Sequence, residues 1–524
     1  MGSTTNSSGS KVPAQLLADP ATLRHDAEAG EDVAAQNNAL REKRLRELFM
    51  EQQSQPLTIH KFTLHGANHT RPTFLDPIIR PLVADETNSS STLGDVMLKL
   101  RDVVGKLDRL EIFHPEPNVW LSSPDPATDP SSSPTDVNVD LRVRELGRFK
   151  LKTGTDVGDG ESSAYGSLLW RNIFGGAEML SLNASTGTRT RSAYSATFSV
   201  PVLSNPDVRL AIDGLGSSTH KPWASHEEVL KGGNLRLSWL SPQSDVHSVE
   251  YSGIWRQITG LYAGASPSVR AEAGDSVKSS IKHSFQRDRR DNRHLPQSGY
   301  VVRSNLELAG IGPLAGDVAF AKGDVDVGGA LPISLPGIQG PTGISLGGGF
   351  RFGMLYPLAL GNPFGSKVLP SRIPDRFQLG GPNDVRGFQL GGLGPHDGAD
   401  AVGGDMFAAG SLNLLLPLPY KGPESGLRFQ MFLNGGRLVA LKNKGKGRNS
   451  GSPALEPQTV RDGMVKAFKD IWLSGTPPSL AAGFGLVYGH PMARFELNFG
   501  LPLAMAKGEQ CTKGLQVGVG INFL

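Results

Sequence analysis

The chain is predicted to be a membrane β-barrel of sixteen antiparallel strands behind a small α+β module. Three observations carry that expectation. After Gly147 helical periodicity nearly vanishes, and sixteen strand-like runs follow one another to Leu524. Several of these runs alternate apolar with polar or glycine residues, the period of a strand with two unlike faces. The chain of 524 residues holds 65 Gly and 37 Pro without a Gly-X-Y triplet, which suits many short strands and tight turns.

Composition excludes other classes. A formal charge of +3, from 53 basic against 50 acidic residues, argues against a nucleic-acid binder, and 1 Cys against a disulfide scaffold. Cys511 is read as inert. No run of about 18 apolar residues occurs, so no helical membrane span is expected. Near-neutral hydropathy does not speak against barrel strands, whose lipid-facing and lumen-facing residues average out.

In chain order, residues 1–55 read as a polar tail with a short helix. Asp19, Asp26 and Glu28 and the lack of an apolar h-region leave no cleavable address in the first thirty residues. Asn6 breaks the myristoylation pattern. Over 31–53, Leu40, Leu45, Leu48 and Phe49 lie among charges, as in a docking helix or, more plainly, a solvated one.

Residues 56–147 read as a module of β-α-α-β-β order. LTIHKFTLHG is its first strand, RPTFLDPIIRPLVAD and TLGDVMLKLRDVVGKLDRL its helices, and FHPEPNVWLSS its second strand. In DVNVDLRVREL, Val137, Val139, Leu141 and Val143 alternate with Asn138, Asp140, Arg142 and Arg144, which predicts a half-buried strand. The Pro/Ser/Asp segment SSPDPATDPSSSPT between the last two strands is an exposed loop.

Residues 148–524 supply the sixteen strands, at about 23 residues for each strand with its connection, near what a membrane-barrel strand with a turn and a loop requires. The first is RFKLKTGTDV, 148–157, and the last GLQVGVGINFL, 514–524. In ARFELNFGL, Phe495, Leu497, Phe499 and Leu501 alternate with Arg494, Glu496, Asn498 and Gly500. A soluble sandwich shows the same alternation with its apolar face inward, so the period alone leaves both open. The even strand count and the apolar carboxyl-terminal residue favour the barrel.

The segment IPDRFQLGGPNDVRGFQLGGLGP, followed by GGDMFAAGSLNLLLPLP, resembles the sixth-loop signature of the outer-membrane β-barrel assembly superfamily, the bacterial surface-antigen group. Its core is Arg386-Gly387-Phe388. The upstream module, with FTLHGANHTRPTFLDPIIRPL, resembles a single POTRA domain. One such domain and the run LPQSGYVVRSNLELAGIGPLAGDVAFAK are most similar to the mitochondrial sorting-and-assembly branch.

The resemblance, over about residues 56–524, implies a loop of about 362–404, between strands eleven and twelve, folded into the barrel lumen. There Arg386 is expected to meet the wall of strand thirteen, FLNGG, with Phe432, Asn434 and Gly436. The superfamily often has aspartate where Asn434 stands, so a neutral hydrogen bond is expected in place of an ion pair. Gly380, Gly381 and Gly387 allow tight turns, and Asp375 and Arg376 are candidates to brace the loop base.

The family further implies a core insertase, integral to the mitochondrial outer membrane, with its amino-terminal domain toward the intermembrane space. Its partners would be β-barrel precursors, accessory outer-membrane assembly subunits and membrane lipid. Strand edges in hydrocarbon leave backbone groups without water, so a precursor needs a template, and a weakly paired seam can supply one. The candidate lateral gate comprises Phe149, Leu151 and Thr153 on the first strand and Gln516, Gly518, Gly520, Ile521 and Phe523 on the last. Gln516, Gly518, Ile521 and Phe523 also fit the family's sorting signal.

A protein-export pore of the two-partner type or a diffusion porin is the alternative. No catalytic constellation, cofactor cradle or metal set is legible: His65 and His69 lack nearby Cys, Asp or Glu partners, and GGLGPHDG lacks the lysine of a phosphate loop. The protein is therefore not expected to be an enzyme. The RDRRDNRH cluster at 287–294 is expected to be a solvated loop.

Overall fold

The computed structural model describes residues 40–520 apart from 42, 45, 46, 49, 84–91, 116, 126–129, 131, 132, 134, 159, 160, 311–315, 335, 337–341, 360–367, 420, 421, 423, 424, 442–454, 474, 476, 491 and 492. Of the expected gate residues, Ile521 and Phe523 lie outside the described residues, as does most of 31–53. The backbone divides into two compact units. One comprises residues 1–66, 76–105 and 115–144; the other comprises 67–75, 106–114 and 145–524.

The first unit is built on a three-stranded sheet of β1 (Thr58–His65), β2 (Asn118–Ser122) and β3 (Asp136–Arg142), in the order β1-β3-β2. β1 runs parallel to β3 and β2 antiparallel to it. Helices Pro72–Val83 and Leu93–Arg109 separate β1 from β2, the β-α-α-β-β order read from the sequence. Thr92 and Asp95 begin the second helix as a reciprocal cap: Thr92 N–H donates to Asp95 Oδ2 at 3.1 Å and Asp95 N–H to Thr92 Oγ1 at 3.3 Å. Val139 and Leu141, on one face of β3, are buried with Ile78, Val96, Leu100 and Val103 of the helices. Leu141→Ala removes a fully buried side chain and is expected to destabilise this unit by about 2–5 kcal/mol. Limited proteolysis of the full chain should then cut within 56–144 well before the sheet of the second unit unfolds.

The second unit is one sheet of sixteen strands. Its first eleven are β4 (Phe149–Gly158), β5 (Glu161–Arg171), β6 (Met179–Gly187), β7 (Thr190–Val202), β8 (Asn205–Lys221), β9 (His226–Leu240), β10 (Val246–Thr259), β11 (Gly274–Asp288), β12 (Gly299–Ala309), β13 (Phe320–Pro332) and β14 (Ser345–Pro357). A two-residue hairpin, β15 (His396–Asp397) with β16 (Asp400–Ala401), lies in the connection that follows. The last five are β17 (Met406–Pro417), β18 (Leu427–Val439), β19 (Ser479–Gly489), β20 (Arg494–Ala504) and β21 (Gly514–Gly520). Every sequential neighbour from β4 to β21 pairs antiparallel, and β14 pairs directly with β17.

The two faces of the sheet are distributed in the reverse of a soluble sandwich. On β20, Phe495, Leu497, Phe499 and Leu501 are exposed at 41%, 42%, 39% and 50%, whereas Arg494, Glu496 and Asn498 are exposed at only 7%, 2% and 1%. Apolar side chains outside and polar ones inside are what a lipid-embedded barrel requires. Among the described residues no helix is long and apolar enough to cross a membrane. The near-absence of helix expected after Gly147 needs a correction, because Pro457–Trp472 forms a helix between β18 and β19. Its apolar residues fall on two adjoining faces instead of one stripe, which hid its period.

The basic cluster also departs from a freely solvated loop. Arg287 and Arg289 both reach Asp245, and Arg290 and Arg293 reach Asp288, so carboxylates already neutralise much of it.

Candidate functional site

In the connection between β14 and β17, the described residues from 368 onward include a stretch packed among inward-facing side chains of the sheet. Leu379, Val385, Phe388 and Leu393 of the loop are buried in one cluster with Phe407, Ala409, Leu438 and Ala481 of the wall. Arg386 and Phe388 are fully buried. Such a segment needs room, and small wall residues provide it. The backbone of Gly387 has φ +87°, and a Cβ there would stand 2.7 Å from the Cβ of Ala481. A Cβ on Gly436 would stand 2.8 Å from Leu379. Gly380 and Gly381 also have positive φ, at +111° and +127°. They turn the chain where the Gly380 N–H donates to Asp384 at 2.8 Å.

Burying a guanidinium requires a counter-charge and full use of its donors. Arg386 has both. Its Nε donates to Glu496 Oε2 at 2.8 Å and its Nη2 to Glu496 Oε1 at 3.1 Å, a two-pronged pair with both side chains 0% exposed. Nη1 reaches Asn413 Oδ1 at 3.4 Å, and the guanidinium carbon lies 5.2 Å from the centre of the Phe432 ring. Glu496 is shared: Arg494 Nε donates to its Oε1 at 2.7 Å and Asn498 Nδ2 to its Oε2 at 2.7 Å. Arg494 also donates to Gln430 at 2.7 Å and to the His294 carbonyl at 3.1 Å.

Strand thirteen is β18, and all three of its expected wall residues touch the loop. Phe432 underlies the guanidinium, and Gly436 opposes Leu379. Asn434 corrects the expectation in one respect. It meets the backbone of Arg386, not its side chain: the amide, oriented with its oxygen toward Arg386 N–H at 2.5 Å, turns its nitrogen to the Ala481 carbonyl at 3.0 Å. The counter-charge comes from Glu496 on β20, which the sequence reading did not pair with Arg386. Its one available signal was Glu496 on the polar face of ARFELNFGL, between Arg494 and Asn498.

The loop base is held by a second buried ion pair. Asp375 accepts from Arg256 of β10, Nη1 to Oδ1 at 2.6 Å and Nη2 to Oδ2 at 3.0 Å, with side chains 4% and 2% exposed. Arg376 ties the loop to itself, donating to the Ser371 carbonyl at 2.6 Å and the Val402 carbonyl at 3.3 Å, and also lies 4.0 Å from Glu272 Oε1 outside the loop. Arg256, like Glu496, was not singled out in the sequence.

The loop also grips the last strand. Gln516 of β21 accepts from the Gly387 N–H at 2.8 Å and donates to the Phe388 carbonyl at 3.2 Å. Asn383 donates to the Val519 carbonyl at 3.0 Å. Just before β21, Thr512 N–H donates to the Gly387 carbonyl at 3.0 Å. Gly518 and Gly520 lie on the Gln516 face of β21, while Leu515 and Val517 are exposed on the other.

The two end strands of the sheet form its seam. β21 is laddered to β20 from Gly514 to Gly520, and β4 to β5. Cα atoms of β21 and β4 come within 8 Å, yet among the described residues no ladder joins them. Phe149 and Leu151 of β4 are exposed on its outer face, with Phe149 stacked on Trp170 at 5.2 Å, and Thr153 follows on the same face.

Residues 172–523 match the Omp85 superfamily domain. A SAM50-like protein of Schizosaccharomyces pombe is 36% identical over 92% of this chain and 94% of its own. The human sorting and assembly machinery component 50 homolog is 32% identical over 83% of this chain and 85% of its own. The sorting assembly machinery 50 kDa subunit of Saccharomyces cerevisiae is 27% identical over 89% and 95%. In fold, the chain is similar to BamA from Haemophilus ducreyi lacking POTRA domains 1–3, with a TM-score of 0.63 and 13% identity over 88% of this chain and 84% of that one. A sixteen-stranded barrel with an arginine-anchored loop inside it and these relatives leads to one assignment: the chain belongs to the Omp85 superfamily, among the homologues of sorting and assembly machinery component 50.

Proposed function

We infer that the protein is the β-barrel insertase of the mitochondrial outer membrane, and that it works by parting β4 from β21 to lend their edges to a precursor. The observation that carries the gate is that, among the described residues, no ladder joins those two strands, beside ladders at every other neighbouring pair. A strand edge that enters hydrocarbon unpaired forfeits several kcal/mol per backbone group, so an edge already open at low cost is what a client strand needs. The client's last strand pairs with β4 in place of β21, later hairpins add by edge-to-edge pairing, and the new barrel leaves when its own ends meet. Clients are β-barrel precursors, accessory assembly subunits complete the machine, and the amino-terminal unit faces the intermembrane space.

A diffusion porin is disfavoured because the loop around Arg386 is packed among the inward-facing side chains. The test joins the seam covalently. In a Cys511→Ser background, one cysteine within 149–155 and one within Gly514–Gly520 are linked by a short bis-maleimide in isolated mitochondria. Insertion of newly imported barrel precursors should stop, while either single cysteine treated alike leaves it intact. Linked protein that inserts precursors at the unlinked rate would overturn the gate.

A further inference from the structure

The Pro457–Trp472 helix lies on the outside of the barrel. Strand parity establishes this: Phe352 and Tyr356 of β14, Met406 of β17 and Val439 of β18 all share the outward face of their strands, and they pack with Met464 and Ala467 of the helix. At its carboxyl end Trp472 meets the outward Phe350 at 6.1 Å and lies tilted beside Phe468 at 6.3 Å. A further face of the helix, with Val465, Phe468 and Trp472, stays exposed, and Leu473 follows it.

Beneath this end of the helix the wall is hollowed by glycine. Phe350, Gly410, Gly435 and Leu480 are successive partners across four strands, so two positions without side chains stand between two bulky ones. Trp472 closes the hollow from above, and it forms a groove of about 510 Å³. We propose that this groove holds an acyl chain of a membrane phospholipid.

Three observations favour lipid over another protein. The groove is continuous with the outer apolar band, with exposed Leu412 and Leu433 one row below it. The carboxyl end of the helix is furnished for a place without water. Arg437, outward on β18, donates to the Asp470 carbonyl at 2.5 Å and the Pro477 carbonyl at 2.9 Å. Solvent would satisfy the Asp470 carbonyl of the last helical turn and the Pro477 carbonyl of the following connection unaided, whereas hydrocarbon would not. Finally, the helix carries Arg461, Lys466 and Lys469 against Asp462 and Asp470, a near balance that selects no anionic headgroup. The occupant is therefore a zwitterionic phospholipid.

Gly410 allows a clean test, since a Cβ there meets nothing closer than 3.5 Å. The full chain is reconstituted in phosphatidylcholine vesicles whose acyl chains carry bromine, a contact quencher of tryptophan. Trp472 emission is obtained as the difference between the parent chain and Trp472→Phe. Strong quenching is expected in the parent, with most of it lost in Gly410→Leu, whose side chain fills the groove. Native mass spectrometry after detergent washing should show one phospholipid retained by the parent and absent from Gly410→Leu. Unchanged electrophoretic heat-modifiability confirms that the variant barrel is folded. Quenching indifferent to Gly410→Leu would mean ordinary boundary lipid, and no quenching in the assembled native complex would mean a covering subunit; either overturns the proposal.

Discussion

Glu496→Gln is expected to destabilise the barrel by about 3–5 kcal/mol, the range for removing one side of a buried ion pair. The substitution keeps the shape and removes the carboxylate that hydrogen-bonds both Arg386 and Arg494. Two guanidiniums are then left facing each other in a buried site. Arg386→Ala should be the milder change, because Arg494 and Asn498 still hold Glu496. It should release the loop and slow precursor insertion while leaving the amino-terminal unit folded. Urea unfolding in micelles, followed by heat-modifiable mobility, gives the order of the two. Arg386→Ala proving the more destabilising would show that Glu496 is not the hub of the network.

Asp375→Ala is expected to have an effect of similar size, again about 3–5 kcal/mol, by stranding Arg256 inside the wall. Each side chain makes both of its charged hydrogen bonds to the other, so the double replacement Arg256→Met with Asp375→Leu should recover part of the loss, limited by the nearby charges of Glu228, Glu307 and Lys322. Buried ion pairs exchanged for apolar residues of like volume are often neutral. Protease cleavage within 369–404 reports the seating of the loop in each variant. If the double variant is no better than Asp375→Ala, the pair acts through more than mutual compensation, and the cycle measures by how much.

The architecture was legible because it rests on periods. Alternation in strands such as Arg494–Ala504 and the helix-then-strand order of the small module survive without tertiary information. The alternation could not say which face is outside, and the exposure of Phe495 and Leu497 beside buried Glu496 was needed for that. The loop was legible from Arg386-Gly387-Phe388 and its glycines. Its counter-charge was not, because the 110 residues separating Arg386 from Glu496 are bridged only when the strands are placed side by side. The Pro457–Trp472 helix escaped for a different reason. Val465, Phe468 and Trp472 stay exposed beside the buried stripe of Val460, Met464 and Ala467, so the helix lacks the single apolar stripe that marks a helix in water.

The clasp on β21 gives the seam a built-in division of labour. Ionic fastening of the loop reaches Glu496 on β20, one strand short of the edge, and among the described residues of the edge strand the hydrogen bonds to the loop run through uncharged amides. If that strand parts as proposed, the Arg386–Glu496 and Arg256–Asp375 pairs keep the interior plug moored. If the proposed gate admits a newcomer with an amide side chain where Gln516 stands, that side chain would inherit the same two contacts, and the plug would read incoming termini as well as act as a stopper.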